Sequence, residues 1–228
     1  MAQQTQIARV LERFDRWLAR WPTAPALAAA TPAEVLTEWV GLGYNRRALR
    51  LREACAIVAR DGWPRDSAGL RALPGVGPYT AAAVASFAFG ERVAAVDTNV
   101  RRVAARLGAD PDALLPATRH ADFNQAAMEL GALVCTARAP RCGECPAAAW
   151  CPSRGRVTAA PRAAGATRPR FEETDRWARG RVVAALAAGE RLPAPIAPER
   201  LERVLAGLER DGLIERDGTR VGLPGAPR

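Results

Sequence analysis

The sequence contains no lysine, so all 33 of its basic residues are arginine. Without a lysine amine, no side chain can form a Schiff base with a carbonyl group. Any lyase mechanism that runs through a lysine imine is therefore excluded, apart from one through the terminal amine. The chain also lacks an apolar run approaching the roughly 18 residues of a membrane-spanning helix. We expect a soluble, cytoplasmic protein.

Acidic residues are outnumbered: 24 Asp and Glu stand against the 33 arginines, which gives a net charge of +9. An excess of this size favours a polyanionic partner, most often nucleic acid. Coding bias in a GC-rich genome is the alternative explanation. It accounts for arginine in place of lysine, but it would not by itself create a surplus over the acids.

Cysteine is scarce, yet four of the five cysteines fall in one loop, at Cys135, Cys142, Cys145 and Cys151. Four thiolates so close in sequence could hold zinc or an iron–sulfur cluster. Zinc sites usually pair two C-x2-C motifs across a longer gap, whereas this loop has a single C-x2-C, which favours a cubane cluster. A disulfide is disfavoured because no signal peptide indicates an oxidising compartment. Cys55 is expected to be a small core residue.

Apolar periodicity predicts an all-α fold. The apolar residues between Ile7 and Leu18 recur with the helical period, and Thr31-Pro32 is typical of a helix start. Further helices are predicted at 46–60, 67–73, 79–89, 100–107 and 123–134.

Residues 153–170 are predicted to be a linker, because they combine Pro, Gly and Ala with five arginines and no acid. These arginines are Arg154, Arg156, Arg162, Arg168 and Arg170. Helices near 173–188 and 198–210 follow, and then a hairpin that turns at Asp217-Gly218. This order is typical of a reduced winged-helix module, which would occupy residues 171–228.

The segment Leu73-Pro74-Gly75-Val76-Gly77 lies between two predicted helices. Its glycines permit a tight turn whose backbone N–H groups, with the N-terminus of the next helix, can bind a phosphate. Such a hairpin holds the DNA backbone without reading its sequence. A plain connector between helices is the alternative.

Asp97 follows an apolar run and precedes a predicted helix. Taken alone, an aspartate there is most often an N-cap. The upstream glycine hairpin and the downstream cysteine loop make it a candidate catalytic residue.

Together, the helix-hairpin-helix, the aspartate after Tyr79 and the cysteine loop resemble the endonuclease III superfamily of base-excision DNA glycosylases. The chain is also similar to the A/G-specific adenine glycosylases of this superfamily (MutY-type), at segments 2–6 (AQQTQ), 39–44 (WVGLGY) and 123–125 (FNQ). The resemblance covers residues 1–152. It implies a six-helix barrel domain at 1–117 and a [4Fe-4S] cluster domain at 118–152, followed by the linker and the module.

The resemblance also implies roles. Asp97 would stabilise positive charge on the sugar, Asn99 would orient Asp97 and the water, and Tyr79 stands where lyase-type relatives have lysine. Cys135, Cys142, Cys145 and Cys151 would hold the cluster. The residues implied to contact DNA are Gln4, Thr5, Leu42, Tyr44, Gly75, Val76, Gly77, Arg138 and Arg141. The expected enzyme is a monomeric, monofunctional, nucleoid-associated glycosylase that removes adenine opposite 8-oxoguanine or guanine in double-stranded DNA.

The chain departs from the family pattern at three points. The family's general-acid glutamate falls two residues before the position of Met1, so we expect an N-terminally truncated chain with weak or no excision. Thr98 stands where the superfamily often has glycine. Residues 171–228 are too short for the Nudix-like domain with which many adenine glycosylases recognise 8-oxoguanine.

Three alternatives remain open from the sequence. A mismatch glycosylase of the same fold, acting on thymine or uracil opposite guanine, would also be compatible with Tyr79. A DNA-binding protein that recognises lesions without cutting would fit the absent glutamate. A zinc-binding regulator would bind zinc, in place of an iron–sulfur cluster, with the cysteines of the loop.

Overall fold

The computed structural model describes residues 1–3, 5–157, 169–193, 196–218 and 220–226. Within these ranges helices are the dominant element, as predicted, and the described strands form one short hairpin. The α-helices are α1 (Ile7–Arg20), α2 (Ala24–Ala29), α3 (Pro32–Trp39), α4 (Arg46–Asp61), α5 (Ser67–Arg71), α6 (Pro78–Phe89), α7 (Thr98–Leu107), α8 (His120–Glu129), α9 (Asp175–Ala187) and α10 (Pro198–Arg210). A π-helical turn, Leu130–Val134, continues α8, and short 3-10 turns lie at Ala148–Trp150 and Phe171–Glu173.

Local capping explains where several helices begin and end. Thr31 caps the start of α3 and Pro32 lies in its first turn, as the sequence predicted. Glu34 completes a capping box with Thr31. Gly108 ends α7 in the left-handed conformation, at φ 69°, which glycine adopts without steric cost. Helix α2 was not predicted; the Thr23 side chain caps it by accepting a hydrogen bond from the N–H of Ala26.

The chain forms two compact units. Unit 1 comprises Met1–Gly62 and Thr167–Arg228, and unit 2 comprises Trp63–Ala166. The four segments predicted from the sequence divide the chain differently and remain a prediction. Much of the predicted linker, residues 158–168 with Arg162 and Arg168, lies outside the described residues.

Unit 1 has a core that the N-terminal helices share with the C-terminal segment. Trp39 and Leu36 of α3 belong to the same buried cluster as Val182 of α9 and Leu208 of α10. The backbone N–H of Ala33 donates to the carbonyl of Pro224 over 2.9 Å. The C-terminal module is therefore packed onto the N-terminal helices.

The C-terminal module has the predicted helix–helix–hairpin order. Strands β1 (Glu215–Asp217) and β2 (Arg220–Gly222) pair antiparallel, with Arg216 opposite Val221. Thr219, in the predicted turn region, lies outside the described residues.

The face of α1 that is buried could not be inferred from its periodicity. Val10 and Trp17 are buried, whereas Ile7 and Leu11 are 59% and 63% exposed. Cys55, expected in the core, is half-buried against it, and this burial raises the pKa of its thiol. No described helix is both long and apolar enough to cross a membrane.

Unit 2 holds the predicted helix-hairpin-helix. Helices α5 and α6 pack against each other, and α7 packs on α8 and on the π-helical turn that follows it. The loop with the four cysteines follows that turn directly.

Candidate active site and nucleic-acid interface

The glycine hairpin joins α5 to α6. Leu73 is buried, its carbonyl accepts a hydrogen bond from Val76 N–H, and Gly75 has φ 78°. Gly77 precedes α6, and no side chain caps this helix. A Cβ at Gly77 would meet no atom within 4 Å. The chain at Gly77, where α6 begins, therefore faces open space, which leaves room for a phosphate oxygen at this helix N-terminus.

Asp97 is the N-cap of α7, and both of its carboxylate oxygens are held. Oδ1 accepts a hydrogen bond from Val100 N–H over 2.7 Å, and Oδ2 accepts one from Asn99 Nδ2 over 2.8 Å. The structure thus confirms Asp97 as a helix N-cap, and the hydrogen bond from Asn99 restrains the second carboxylate oxygen. Because two donors hold a half-buried carboxylate, its orientation is set before any substrate binds.

Arg102 extends this hydrogen-bonded chain toward the cysteine loop. Its guanidinium donates to Asn99 Oδ1 over 2.8 Å, to the Gly131 carbonyl over 2.6 Å and to the Cys135 carbonyl over 2.9 Å. Sequence reasoning missed this residue. Its position three residues after Asn99, on the same face of α7, was the available signal.

Tyr79 lies in the first turn of α6, and its hydroxyl donates to Met128 Sδ over 3.3 Å. Burial, and then the negative charge of Asp97, raise the pKa of the Tyr79 phenol. The structure therefore brings Tyr79 and Asp97 into electrostatic contact. The phenol stays protonated at neutral pH.

Asn124 holds the segment that leads to Asp97. Its side chain is almost fully buried; Oδ1 accepts from Ala95 N–H over 3.0 Å, and Nδ2 donates to the Val93 carbonyl and to Ser86 Oγ. All of these partners are in unit 2. Asn124 thus fixes the backbone that ends in the catalytic candidate.

Gly131 permits the close approach of the π-helical turn to α7. A Cβ built there would lie 2.6 Å from Asn99 Cβ and 3.0 Å from Asn99 Cα. Such distances are not compatible with a real side chain, so the position requires glycine. The contact is with the very residue that orients Asp97.

The four cysteines of the loop line one small cavity in unit 2, which Arg106 and Val134 also line. All four thiols are free of disulfides. Arg106 donates to Cys135 Sγ over 3.1 Å, so a cationic group faces this sulfur. Among the described residues, no group of three or more His, Cys, Asp or Glu side chains is arranged to hold a metal ion. The four cysteines are thus not drawn together as a closed metal site, but in number and type they match the four thiolate ligands of an iron–sulfur cluster.

The two arginines of the loop differ in their surroundings. Arg141 pairs with Glu144 over 2.9 Å and donates to the Leu133 carbonyl over 2.7 Å. Arg138 is exposed, and no ion pair to another described residue involves it. Arg138 is therefore the freer of the two to reach a phosphate.

In unit 1, the residues predicted to contact DNA gather around Arg47. Its guanidinium donates to Thr5 Oγ1 over 2.9 Å and to the Gly43 carbonyl over 3.3 Å, and also bonds the Gln3 carbonyl. Tyr44 is 44% exposed and has φ 52°, a strained conformation for a residue with a side chain. Gln4 lies outside the described residues.

Leu42 does not fit its predicted role. Its side chain is 4% exposed and belongs to the core of unit 1, so it has no surface with which to touch DNA. The glycines on either side, at φ 90° and 71°, turn the chain so that this apolar group points inward. Its carbonyl accepts a hydrogen bond from Thr5 Oγ1 over 3.2 Å.

The HhH-GPD superfamily of base excision DNA repair proteins matches residues 1–125. An adenine DNA glycosylase of Mycobacterium tuberculosis is 44% identical, over 99% of this chain and 83% of that protein. This chain belongs to the HhH-GPD superfamily of base excision DNA repair proteins. It is a DNA N-glycosylase, and the MutY-type resemblance is confirmed.

Other relatives agree with this assignment. The human adenine DNA glycosylase is 44% identical over 69% of this chain and 32% of its own length. The structure of a thermostable thymine-DNA glycosylase matches with a TM-score of 0.63 at 27% identity, over 68% of this chain and 80% of that chain. A non-covalent endonuclease III–DNA complex matches with a TM-score of 0.59 at 28% identity and the same coverage. The predicted helix-hairpin-helix glycosylase fold is confirmed, and DNA is the partner.

Proposed function

We propose that this glycosylase hydrolyses the N-glycosidic bond of adenine paired with 8-oxoguanine or guanine in double-stranded DNA. The relatives that match nearly the whole chain are adenine DNA glycosylases, which supports this substrate. The absence of lysine supports hydrolysis without an imine intermediate. We further propose that the enzyme acts as a monomer on nucleoid DNA.

The observation that carries the proposal is the restrained carboxylate of Asp97. Cleavage of the C–N bond builds positive charge on the deoxyribose, and a fixed negative charge beside it lowers the barrier. Val100 N–H and Asn99 Nδ2 each hold one oxygen, so the carboxylate need not reorganise as the bond breaks. Water then supplies the hydroxyl group at the sugar carbon, and the base leaves with a proton.

Tyr79 stands beside Asp97 as a protonated phenol. A neutral phenol is a poor nucleophile, so it does not form a covalent link to the sugar. It can instead donate a hydrogen bond to substrate or water. This assigns Tyr79 a positioning role in a purely hydrolytic reaction.

The target base must leave the duplex before it can reach Asp97. The hairpin at Gly75 and Gly77 would hold a phosphate of the strand, and the exposed ring of Tyr44 would fill space in the opened stack. Gln4 and Thr5 are further proposed DNA contacts. Arg138 and Arg141 would add phosphate contacts from the cysteine loop.

We propose that Cys135, Cys142, Cys145 and Cys151 hold a [4Fe-4S] cluster. With four thiolate ligands, such a cluster has no open coordination position, so it would order the loop and would not act on substrate. Its iron and acid-labile sulfide should be present in equal amounts in protein purified without oxygen. Zinc without sulfide would overturn this assignment.

The substrate is tested with four duplexes that carry A:8-oxoguanine, A:G, T:G and U:G, with the enzyme in excess. Base release is measured as strand breaks after alkali, and affinity is measured in parallel. We expect slow release of adenine, with a higher rate from the A:8-oxoguanine duplex than from the A:G duplex. The Asp97→Asn variant keeps an N-cap side chain, so it should fold and bind while release falls by at least about 100-fold.

Each contrary result points to a specific alternative. Preferred release from T:G or U:G would make this chain a pyrimidine mismatch glycosylase. Selective binding of A:8-oxoguanine with no release from any duplex would make it a lesion-binding protein. Release that survives in Asp97→Asn would remove Asp97 from the mechanism.

A further inference from the structure

A groove of about 680 Å³ runs across unit 1 between residues 40–50 and α9 of the C-terminal module. We call it the arginine groove, after the seven arginines that line it. They are Arg9, Arg46, Arg47, Arg50, Arg176, Arg179 and Arg181. Asp211 is the one carboxylate among the described lining residues. The groove therefore carries a large positive charge.

Asp211 compensates part of this charge. It pairs with Arg46 over 3.3 Å and also with Arg179. The other five arginines form no ion pair with any carboxylate in the described part of the chain. Like charges gathered in one groove repel each other, and a bound polyanion would relieve that repulsion.

Tyr44 lies at the wall of the groove with two guanidinium groups beside its ring. Arg176 Cζ is 4.3 Å from the ring centroid, and Arg47 Cζ is 5.2 Å from it. Burial lowers the pKa of Arg47, the Tyr44 phenol raises it in part, and the charge of Arg176 lowers it further. The two cations are thus near neighbours, and α9 supplies one of them.

Helix α9 presents its arginines along the groove. Arg176 and Arg181 are both exposed, and Gly180 between them leaves open space, since a Cβ there would meet nothing within 4 Å. Guanidinium groups bind phosphate oxygens with paired hydrogen bonds.

We propose that the arginine groove binds the phosphate backbone of DNA, and that Arg176 positions the Tyr44 ring against the duplex. The C-terminal module thereby becomes part of the DNA interface. This inference rests on the proposed role of Tyr44 in DNA contact. It concerns backbone binding and not the choice of base, so it does not depend on adenine being the substrate.

The test is the salt dependence of DNA binding by the full chain. Affinity for the A:8-oxoguanine duplex and for a fully matched duplex is measured by fluorescence anisotropy across a range of KCl concentrations. Each phosphate contact contributes a slope of about 0.9 to the plot of log affinity against log salt. We expect Arg176→Gln and Arg181→Gln each to lower that slope by about one on both duplexes, and the double variant by about two.

Arg65→Gln is the matched control. This variant also removes one positive charge and one contact between a guanidinium and an aromatic ring, since Arg65 lies 5.9 Å from the Phe89 ring centroid. Arg65 does not line the groove. Its slope should equal that of the unchanged chain. Arg176→Lys should keep the slope, because its charge remains, while base release slows because the guanidinium contact with the Tyr44 ring is lost.

Unchanged slopes in the folded double variant would overturn the proposal, and the groove would then suit a different partner, such as an acidic protein surface. An equal decrease in Arg65→Gln would also overturn it, because the effect would then reflect net charge alone. If the salt slopes change as expected but the enzyme releases no adenine, the proposed substrate is refuted, while the assignment of the groove to the DNA backbone is supported.

Discussion

Arg102 donates a hydrogen bond to the backbone carbonyl of Cys135 over 2.9 Å. Through its bonds to Asn99 and Gly131, the same guanidinium supports the residue that holds Asp97. The first cysteine of the loop and the catalytic candidate are therefore linked through two side chains, Arg102 and Asn99. When the cysteine loop is ordered, these hydrogen bonds should hold the Asp97 carboxylate in a fixed orientation.

Replacing Arg102 with Met should uncouple the two sites. The change removes the Arg102 donor from the Asn99 side chain and the Gly131 carbonyl, while the Cys135 carbonyl keeps its bond from Arg106. We expect a cost of about 2 kcal/mol in the free energy of unfolding. Single-turnover base release should fall about tenfold, with duplex affinity little changed. Denaturant titration and rapid-quench kinetics measure the two effects. Arg101→Met, at an exposed position of the same helix, should change neither; equal effects from both variants would refute the link.

Gly131→Ala should disturb Asn99 directly. The added methyl group would lie 2.6 Å from Asn99 Cβ, so α7 and the π-helical turn must separate. We expect a loss of about 1–3 kcal/mol in stability and a slower base release. Gly143→Ala is the control, because a Cβ there would meet nothing within 4 Å. A Gly131→Ala protein as stable and active as the control would show that the backbone tolerates the contact.

Asn124→Ala should destabilise unit 2 strongly. It leaves the Ala95 N–H, the Val93 carbonyl and the Ser86 hydroxyl without a buried partner. The expected loss is about 2–4 kcal/mol, measured by chemical denaturation. Gln125→Ala, next in the same helix, removes an exposed amide whose one side-chain hydrogen bond within the described residues is to Glu129, and it should cost little. Similar losses for the two amides would contradict the role of Asn124.

The pH dependence of Tyr79 tests its proximity to Asp97. The chain has two tyrosines, so in a Tyr44→Phe variant the phenolate absorbance reports Tyr79 alone. Its pKa should lie above the ordinary value of about 10, because burial and the charge of Asp97 disfavour the phenolate. Adding Asp97→Asn should lower this pKa toward the ordinary value. If the pKa of Tyr79 does not change when the Asp97 charge is removed, the two groups are too far apart to interact.

The same shift has a consequence for stability. Because the folded-state pKa of Tyr79 is raised, the folded chain holds this proton more tightly than the unfolded chain does. The contribution is fully present below about pH 10 and is lost as pH rises through the folded-state pKa. Compared with Tyr79→Phe, the unchanged chain should therefore lose stability above pH 10. The comparison is made by thermal melts of both proteins between pH 8 and 11. If the difference in melting temperature between the two proteins does not change with pH, the raised pKa is contradicted.

Much of this molecule could be predicted because its signals are local. The cap at Thr31, the turn at Gly75 and the spacing of the four cysteines depend on backbone conformation and on residues a few positions apart. The cap geometry of Asp97 follows from the same short-range rules. Leu42 was predicted as a DNA contact from its motif alone, and its burial shows the limit of that reasoning.

The sequence by itself determined most of the helices, the hairpin, the cysteine loop and the superfamily, since each depends on short-range patterns. Only the tertiary structure decided that Val10 and not Ile7 is buried, that Arg102 joins Asn99 to Cys135, and that Arg176 lies over Tyr44. These contacts join residues on different elements. They depend on how helices pack to bury apolar surface, and periodicity within one helix does not encode which partner covers which face.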